Sequence, residues 1–207
     1  MGVRYNPGIV TDGLVSLFDA ADKTSYSGSI HGGVLSTWTD IAGSNNGTIT
    51  NGPTLDTGSG GSLKFDGSND YVDCGTAAIF QTSSNVTLEV WFKQDSTGAY
   101  KAAGIPYDDG DAWNTPYVGI HVGTAALNNT ANFAINVGGS QQTFNGSTLT
   151  TEQWHHVVQT YDGTTARGYV DGIQDATSSS SGTISYSGSP SFIIGQRSKE
   201  AAGEYFD

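Results

Sequence analysis

Short segments in which apolar and polar residues alternate recur along the chain, and turn-forming residues separate them. The clearest segment covers residues 85–93. One face of this segment carries four apolar residues, Val86, Leu88, Val90 and Phe92, and the other carries Thr87, Glu89, Trp91 and Lys93. A period of two is typical of β-strands, and helical periodicity is nearly absent. The pattern therefore predicts an all-β protein with little helix, built as an antiparallel sandwich of two sheets or as a barrel.

The same reasoning predicts further strands and the turns between them. The additional predicted strands cover residues 14–18, 62–65, 117–122, 132–137, 154–161, 167–170 and 191–195. Hairpin turns are expected at 162–165 and at Asp171-Gly172. The serine tract 178–181 predicts a mobile loop between strands. A length of 207 residues suits a single domain covering 1–207.

Composition and charge exclude several classes of protein. The chain has 8 Lys plus Arg against 20 Asp plus Glu, a net charge of -12, which disfavours nucleic acid and anionic membranes as partners. A single cysteine, Cys74, excludes an internal disulfide and the paired-cysteine motifs. No apolar run approaches the length that spans a membrane, so membrane insertion is not expected. Residues 1–12 lack the apolar stretch of a signal peptide, so export by that route is not expected either.

Several short motifs occur in an order that resembles a known domain family. They are DGLVSLFDAA (12–21), TWTD (37–40), GSLKFDG (61–67), LEVWFK (88–93), QWHHVV (153–158), YDG (161–163), YVDG (169–172) and YFD (205–207). Together they resemble the laminin-G-like, concanavalin A-like jelly-roll domains of the bacterial and phage type. The resemblance implies two antiparallel sheets in a jelly-roll, and members bind glycans, proteins or calcium, or serve as spacers. The segment 6–26 also resembles the start of phage structural proteins.

One departure from the family concerns the end of the chain. Members usually continue past the YFD position into a final strand that pairs with the N-terminal strand. The resemblance therefore implies that the natural chain continues past Asp207, or that another chain supplies the strand. Without that strand, we expect backbone groups near Leu14–Asp19 to lack part of their pairing.

The sequence offers no set of catalytic residues. Glycosidases place paired carboxylates beside the scissile bond, whereas Glu89 stands alone on its strand. No serine-hydrolase, zinc-protease or phosphate-loop motif occurs, so the chain is not expected to be an enzyme. His155 and His156 are adjacent on a strand and point to opposite faces, so they cannot chelate one metal ion. The family resemblance places Trp38, Trp91 and Trp154 in the core.

A metal prediction rests on the turn that begins at Asp66. Oxygen-bearing side chains at Asp66, Asn69 and Asp70 suit a hard cation such as Ca²⁺, although the segment is not an EF-hand. The alternative is a plain turn in which Asp66 accepts hydrogen bonds from backbone amides. No other cofactor is expected.

The segment 105–117 (IPYDDGDAWNTPY) is the least generic part of the sequence. Its candidate glycan- or partner-binding residues are Tyr107, Asp108, Asp109, Asp111, Trp113 and Tyr117. Aromatic faces stack on sugar rings and carboxylates accept hydrogen bonds from hydroxyls, so this composition suits a glycan. It equally suits a protein contact, or a loop folded over its own aromatic residues.

Two functions from different classes follow. The first is a non-catalytic virion structural protein, such as a phage fibre, tail or capsid-surface component. It would form a homo-oligomer, contact other virion proteins and bind host-surface polysaccharide. The alternative is a carbohydrate-binding module of a bacterial surface or secreted protein, located outside the cell.

Overall fold

The structure is a computed structural model that describes residues 9–22, 24–26, 35–96, 101–105, 117–123, 127–196 and 205–207. Within these ranges the chain forms fourteen strands. They are β1 (Thr37–Trp38), β2 (Gly47–Thr50), β3 (Thr54–Asp56), β4 (Ser62–Lys64), β5 (Tyr71–Asp73), β6 (Val86–Phe92), β7 (Lys101–Ile105), β8 (Val118–Val122), β9 (Thr130–Val137), β10 (Ser140–Thr148), β11 (His155–Tyr161), β12 (Thr165–Val170), β13 (Ile173–Ser179) and β14 (Ile193–Ile194). The helical content described is two short 3-10 helices, Gly58–Gly60 and Ala78–Phe80.

The strands form two large antiparallel sheets and one small hairpin. The larger sheet has eight strands in the order β1-β2-β5-β14-β7-β8-β9-β10, and the smaller has four in the order β13-β12-β11-β6. Among the described strands, β3 and β4 pair with each other and with no other strand. Neighbouring strands are often distant in sequence, as expected for a jelly-roll. The predicted all-β, concanavalin A-like sandwich with little helix is therefore confirmed.

Most of the predicted strands are present, with ends that differ by a few residues. The exception at the N-terminal end is 14–18, which is not a strand, so that prediction was wrong. Its backbone groups form hydrogen bonds with separate partners instead of with one neighbouring strand. The Leu17 N–H donates to Asp40 Oδ1 (2.9 Å), and the Leu17 carbonyl accepts a hydrogen bond from the Ile41 N–H (2.9 Å). The prediction of a further strand beside this segment stays a prediction.

The serine tract is the second correction. Ser178 and Ser179 belong to β13, where they pair with Ala166 and Thr165 of β12. Weak strand-forming residues are held in the ladder here because residues 165–168 of β12 pair one to one with residues 176–179. The predicted hairpin turns at 162–165 and Asp171-Gly172 do join β11 to β12 and β12 to β13.

The main core fills the space between the two sheets. Phe133 and Ile135 from the larger sheet meet Val157 and Ala166 from the smaller one, and all four are fully buried. The apolar face of β6 turns toward this core, as its alternation predicts, and Phe92 is buried there. Trp91 therefore points outward, onto the outer face of the smaller sheet.

A second core lies under the β1-β2-β5 end of the larger sheet. Val72 and Cys74 are buried there, and Phe18 packs on Trp38 with ring centroids 5.5 Å apart. Phe206 contacts both cores. Among the described residues, no helix has the length and apolar character to cross a membrane.

Candidate functional site

The outer face of the smaller sheet carries an exposed tryptophan. Trp91 is 62% exposed, although aromatic residues of its size are usually largely covered. The expectation that it lies in the core was wrong, because alternation along β6 sends its neighbours Val90 and Phe92 inward and Trp91 outward. The location of this side chain makes the outer face the first candidate site.

A histidine from the neighbouring strand stacks on one face of the Trp91 indole. His156 lies directly opposite Trp91 in the β6–β11 ladder, and their rings stack with centroids 4.6 Å apart and planes 19° apart. Since the imidazole covers one face of the indole and Trp91 is still largely exposed, the opposite indole face is open to solvent. Trp91 therefore presents a flat apolar surface of fixed position.

A carboxylate forms a hydrogen bond with this histidine. Glu89 Oε1 lies 2.8 Å from His156 Nε2, and since the carboxylate is an acceptor, the Nε2–H donates this bond. Glu89 and Trp91 are two residues apart on β6, so both lie on its outer face. The three side chains form one unit, which we call the Trp91 platform (Glu89, Trp91 and His156).

A second tryptophan lies beside the platform. Trp154 immediately precedes β11 and is 38% exposed, so it too lies at the surface rather than in the predicted core. It precedes the buried His155, so alternation places it on the same outer face as His156. The β6–β11 ladder ends at His155 and Phe92, and one further residue along each strand brings Trp154 opposite Lys93 and diagonally across from Trp91. Diagonal positions of this kind are about 7–8 Å apart, within reach of aromatic side chains.

Among the described residues, Lys93 and Arg167 of this face each lie near a carboxylate. Lys93 Nζ lies 4.0 Å from Asp95 Oδ1, and Arg167 Nη1 lies 2.6 Å from Asp162 Oδ2. The Arg167 hydrogen bond, followed by those from the hydroxyl and N–H of Thr164 and from the Thr165 N–H, holds the pKa of Asp162 far below its usual range. The outer face therefore presents paired charges around an apolar surface.

His155 points inward and forms a network that superficially resembles a catalytic triad. Its Nδ1 lies 3.0 Å from Asp171 Oδ2, and its Nε2 lies 3.1 Å from the Thr150 hydroxyl. The Thr150 N–H also donates to Nε2 (3.2 Å), and the Thr150 hydroxyl lies 3.0 Å from Gln153 Oε1, to which it donates. Nε2 also lies 3.2 Å from the Thr150 carbonyl oxygen, so its contacts are with Thr150. The network fastens two turns to β11.

Asp171 joins both histidines. Its Oδ1 accepts the His156 N–H at 2.9 Å, while Oδ2 bonds to His155. The backbone bond, followed by the His155 bond, lowers the pKa of Asp171. The two histidine rings face opposite sides of β11 and have different partners, Asp171 for His155 and Glu89 for His156.

The predicted glycan loop is only partly described. Tyr107, Asp108, Asp109, Asp111 and Trp113 lie outside the described residues. Tyr117 is described and is 2% exposed. Its hydroxyl accepts the Ser187 N–H at 2.9 Å, and its ring lies 5.4 Å from that of Tyr186. Tyr117 is therefore part of the core and cannot touch a ligand in this arrangement.

The turn predicted to bind calcium is closed by its own backbone. Asp66 Oδ1 accepts the N–H groups of Ser68 (2.8 Å) and Asn69 (3.2 Å), and Asp70 Oδ2 accepts the Asp66 N–H (3.0 Å). Burial, and then the nearby Asp66 charge, raise the pKa of Asp70. No group of three or more His, Cys, Asp or Glu suited to a metal ion occurs in the described part of the chain. Calcium binding at Asp66, Asn69 and Asp70 remains a prediction.

Comparison with known proteins assigns the family. Residues 66–207, about two thirds of the chain, match the laminin-G family described as the concanavalin A-like lectin/glucanases superfamily. The chain belongs to this family. A search of curated proteins gave no match.

Two solved structures show the same fold. The first is domain 4 of AbnA, a GH43 extracellular arabinanase from Geobacillus stearothermophilus, in complex with arabinotriose. It has 17% identity and a TM-score of 0.56, and the match covers 79% of this chain and 80% of that domain. The second is a Trypanosoma rangeli sialidase, with 17% identity and a TM-score of 0.61. Here the match covers 94% of this chain and 29% of the sialidase. At these identities the likeness concerns the fold.

The Trp91 platform is the part of the site that the sequence analysis missed. The available signal was the alternation in 85–93, which already placed Glu89 and Trp91 together on the second face. Pairing with His156 depends on the β6–β11 register, which joins residues 65 positions apart in the chain. Nothing local in the sequence specifies that register.

Proposed function

We propose that this chain is a non-catalytic carbohydrate-binding module that holds sugar rings on the outer face of its four-stranded sheet. The observation that carries the proposal is the exposed Trp91, stacked on His156, which is hydrogen-bonded to Glu89. One face of many pyranose rings consists of C–H groups, and an indole face is the protein surface that best complements it.

The rigidity of the Trp91 platform favours binding. An exposed tryptophan that moves freely loses side-chain entropy when it stacks on a ligand, which costs affinity. Here the indole is held by His156 and both residues lie on a continuous seven-pair ladder. Membership of the concanavalin A-like lectin/glucanases superfamily supports the same function.

The way the carboxylates of this face are used supports a non-catalytic role. Hydrolysis of a glycosidic bond needs one carboxyl group as the acid and a second as nucleophile or base, about 5–9.5 Å away. Glu89 bonds to His156, and both oxygens of Asp171 bond to His155 and His156. Among the described residues of this face, no second carboxylate stands free beside Glu89.

The setting we propose is the surface of a bacterium or a secreted bacterial protein, where such modules meet polysaccharide. The arabinanase that carries the similar domain is described as extracellular, which supports this location. The virion role predicted from the sequence has no support in the comparisons. It and the homo-oligomer remain predictions.

Binding to immobilised or gel-embedded polysaccharides tests the proposal. We expect the wild-type protein to be retarded in native gels that contain at least one member of a panel of arabinan, xylan, cellulose derivatives and β-glucans. Trp91→Ala should lose about tenfold or more in affinity, because the stacking surface is gone. The matched control is Ile79→Ala, which removes a similarly exposed apolar side chain outside the smaller sheet. No retardation by any polysaccharide, or equal retardation of the Trp91→Ala variant, would overturn the proposal.

A further inference from the structure

We propose that the ligand is an uncharged, linear glycan bound along its length by two aromatic subsites, Trp91 and Trp154. This inference rests on the proposed function and adds to it the class of sugar and the way in which the chain lies. It is distinct from recognition of an acidic sugar or of a single terminal residue.

The spacing of the two tryptophans favours a chain of sugars over a single ring. Trp154 is exposed and precedes the buried His155, so alternation places it on the outer face with Trp91. The β6–β11 ladder ends at His155 and Phe92, and extending it by one residue on each strand places Trp154 diagonally across from Trp91. A diagonal step of about 7–8 Å is longer than one stacked sugar ring and comparable with the separation between rings of a short oligosaccharide. One ring therefore cannot cover both indoles, whereas consecutive rings of a chain can.

The site lies at the margin of the smaller sheet. Among the described residues, β6 is the outermost strand of that sheet and pairs within it with β11. A glycan stacked on both indoles therefore crosses this strand pair from β11 to β6.

The charges around the two tryptophans disfavour an acidic glycan. Recognition of a sugar carboxylate or sulfate uses a free Arg or Lys, preferably one that forms two parallel hydrogen bonds. On this face Arg167 is bonded to Asp162, and Lys93 lies 4.0 Å from Asp95, a carboxylate that also pairs with Lys64 at 3.0 Å. Among the described residues, Glu89 and Asp171 add negative charge beside His156. The net charge of -12 also repels an anion at long range. The site therefore selects against acidic glycans.

Calorimetric titration with defined oligosaccharides tests the chain-length part of the inference. The probes are arabino-, xylo-, cello- and laminari-oligosaccharides of one to about six residues, chosen after the polysaccharide panel has named a backbone. We expect affinity to rise about tenfold or more between one and three residues and then to level off, as the second indole becomes occupied. Trp154→Ala should remove that rise, and Trp154→Phe should restore much of it.

A matched pair of polymers tests the charge part. Homogalacturonan that is fully methyl-esterified and the same polymer after de-esterification share one backbone and differ in carboxylate charge. We expect any binding to be weaker for the de-esterified polymer, most clearly at low salt.

The outcomes separate this inference from the proposed function. Tighter binding of the acidic polymer, equal affinity for one and three residues, or a Trp154→Ala variant with an unchanged length dependence would overturn the inference and leave the proposed function standing. Failure of every glycan to bind would overturn both. Thermal melting of each variant confirms that it is folded before titration.

Discussion

The carboxylate of Asp40 shows how one buried side chain organises the irregular N-terminal segment. It is 3% exposed, and it accepts backbone N–H groups from Leu17, Ala42, Gly43 and Asn45 at 2.9–3.2 Å. Burial tends to raise the pKa of Asp40, but these four donors outweigh it and lower the pKa. The charged form is therefore bound more strongly in the folded protein than in the unfolded chain.

Replacing Asp40 with Asn should destabilise the fold. The amide has one acceptor oxygen in place of two and no charge, so we expect a loss of about 1–3 kcal/mol in the free energy of unfolding. The pKa of Asp40 is lower in the folded protein than in the unfolded chain. The stabilisation by its carboxylate is therefore fully present at a pH above the pKa of Asp40 in the unfolded chain. It is lost as the pH falls through the pKa of Asp40 in the folded protein. Urea unfolding from about pH 6 to about pH 2 should show the two proteins converging at low pH. Asp12→Asn, at an exposed site, is the control, and a constant difference across this range would contradict the assignment.

Removing the side chain that backs Trp91 should weaken glycan binding without unfolding the protein. In His156→Ala the indole loses its stacked neighbour and can adopt other rotamers, so we expect affinity to fall by about threefold to tenfold. His156→Phe keeps a ring at this position and should retain most of the affinity. Titration with the polysaccharide named by the panel measures both variants, and equal weakening by Ala and Phe would contradict a role in positioning.

Contact between the two sheets depends on the absence of a side chain in β12. A Cβ atom added at Gly168 would lie 2.2 Å from the ring of Phe133, which is fully buried in β9. The ring therefore occupies the space above the glycine, and this close approach sets how near β12 lies to β9. The requirement comes from packing, since the backbone of Gly168 takes part in the ordinary β11–β12 ladder.

Gly168→Ala should therefore destabilise the protein by overpacking. The Phe133 ring cannot swing into solvent, so either the ring or β12 must shift, and we expect a cost of about 1–3 kcal/mol or more. Chemical unfolding of Gly168→Ala, Phe133→Leu and the double variant measures the coupling between the two positions. The glycine substitution should cost less in the Phe133→Leu background. Additive effects of the two substitutions would show that the ring is not what excludes the methyl group.

The elements differ in how far the sequence specifies them. The strand at 85–93 was predicted with its correct inner face because its alternation continues for seven residues and one side meets a core. The segment 14–18 has a similar apolar content but no ladder, because its partners are the Asp40 carboxylate and the Ile41 N–H rather than a neighbouring strand. Predicting the Trp91 platform requires the register between two strands that are distant in sequence, and predicting the burial of Tyr117 requires knowing which residues pack against it. The local sequence pattern thus predicts the strands and the faces of each strand. The pairing between strands determines which side chains meet at the site.

The charge of the whole molecule is the remaining large-scale property. With a net charge of -12 on 207 residues, repulsion among carboxylates favours the expanded chain, and added salt screens it. We therefore expect the melting temperature to rise with sodium chloride. This general effect must be separated from calcium binding at the turn formed by Asp66, Asn69 and Asp70.

The calcium prediction is tested by comparing cations at equal ionic strength. A specific site stabilises the folded state in proportion to the logarithm of free calcium once the site is largely filled, whereas screening by magnesium is nearly the same as by calcium. Burial, and then the nearby Asp66 charge, raise the pKa of Asp70, and a bound cation would offset both effects. If the site is real, calcium should raise the melting temperature above the magnesium value, EDTA should reverse the rise, and Asp66→Asn with Asp70→Asn should abolish it. Equal melting temperatures in calcium and magnesium would establish that this segment is a turn held by its own amides.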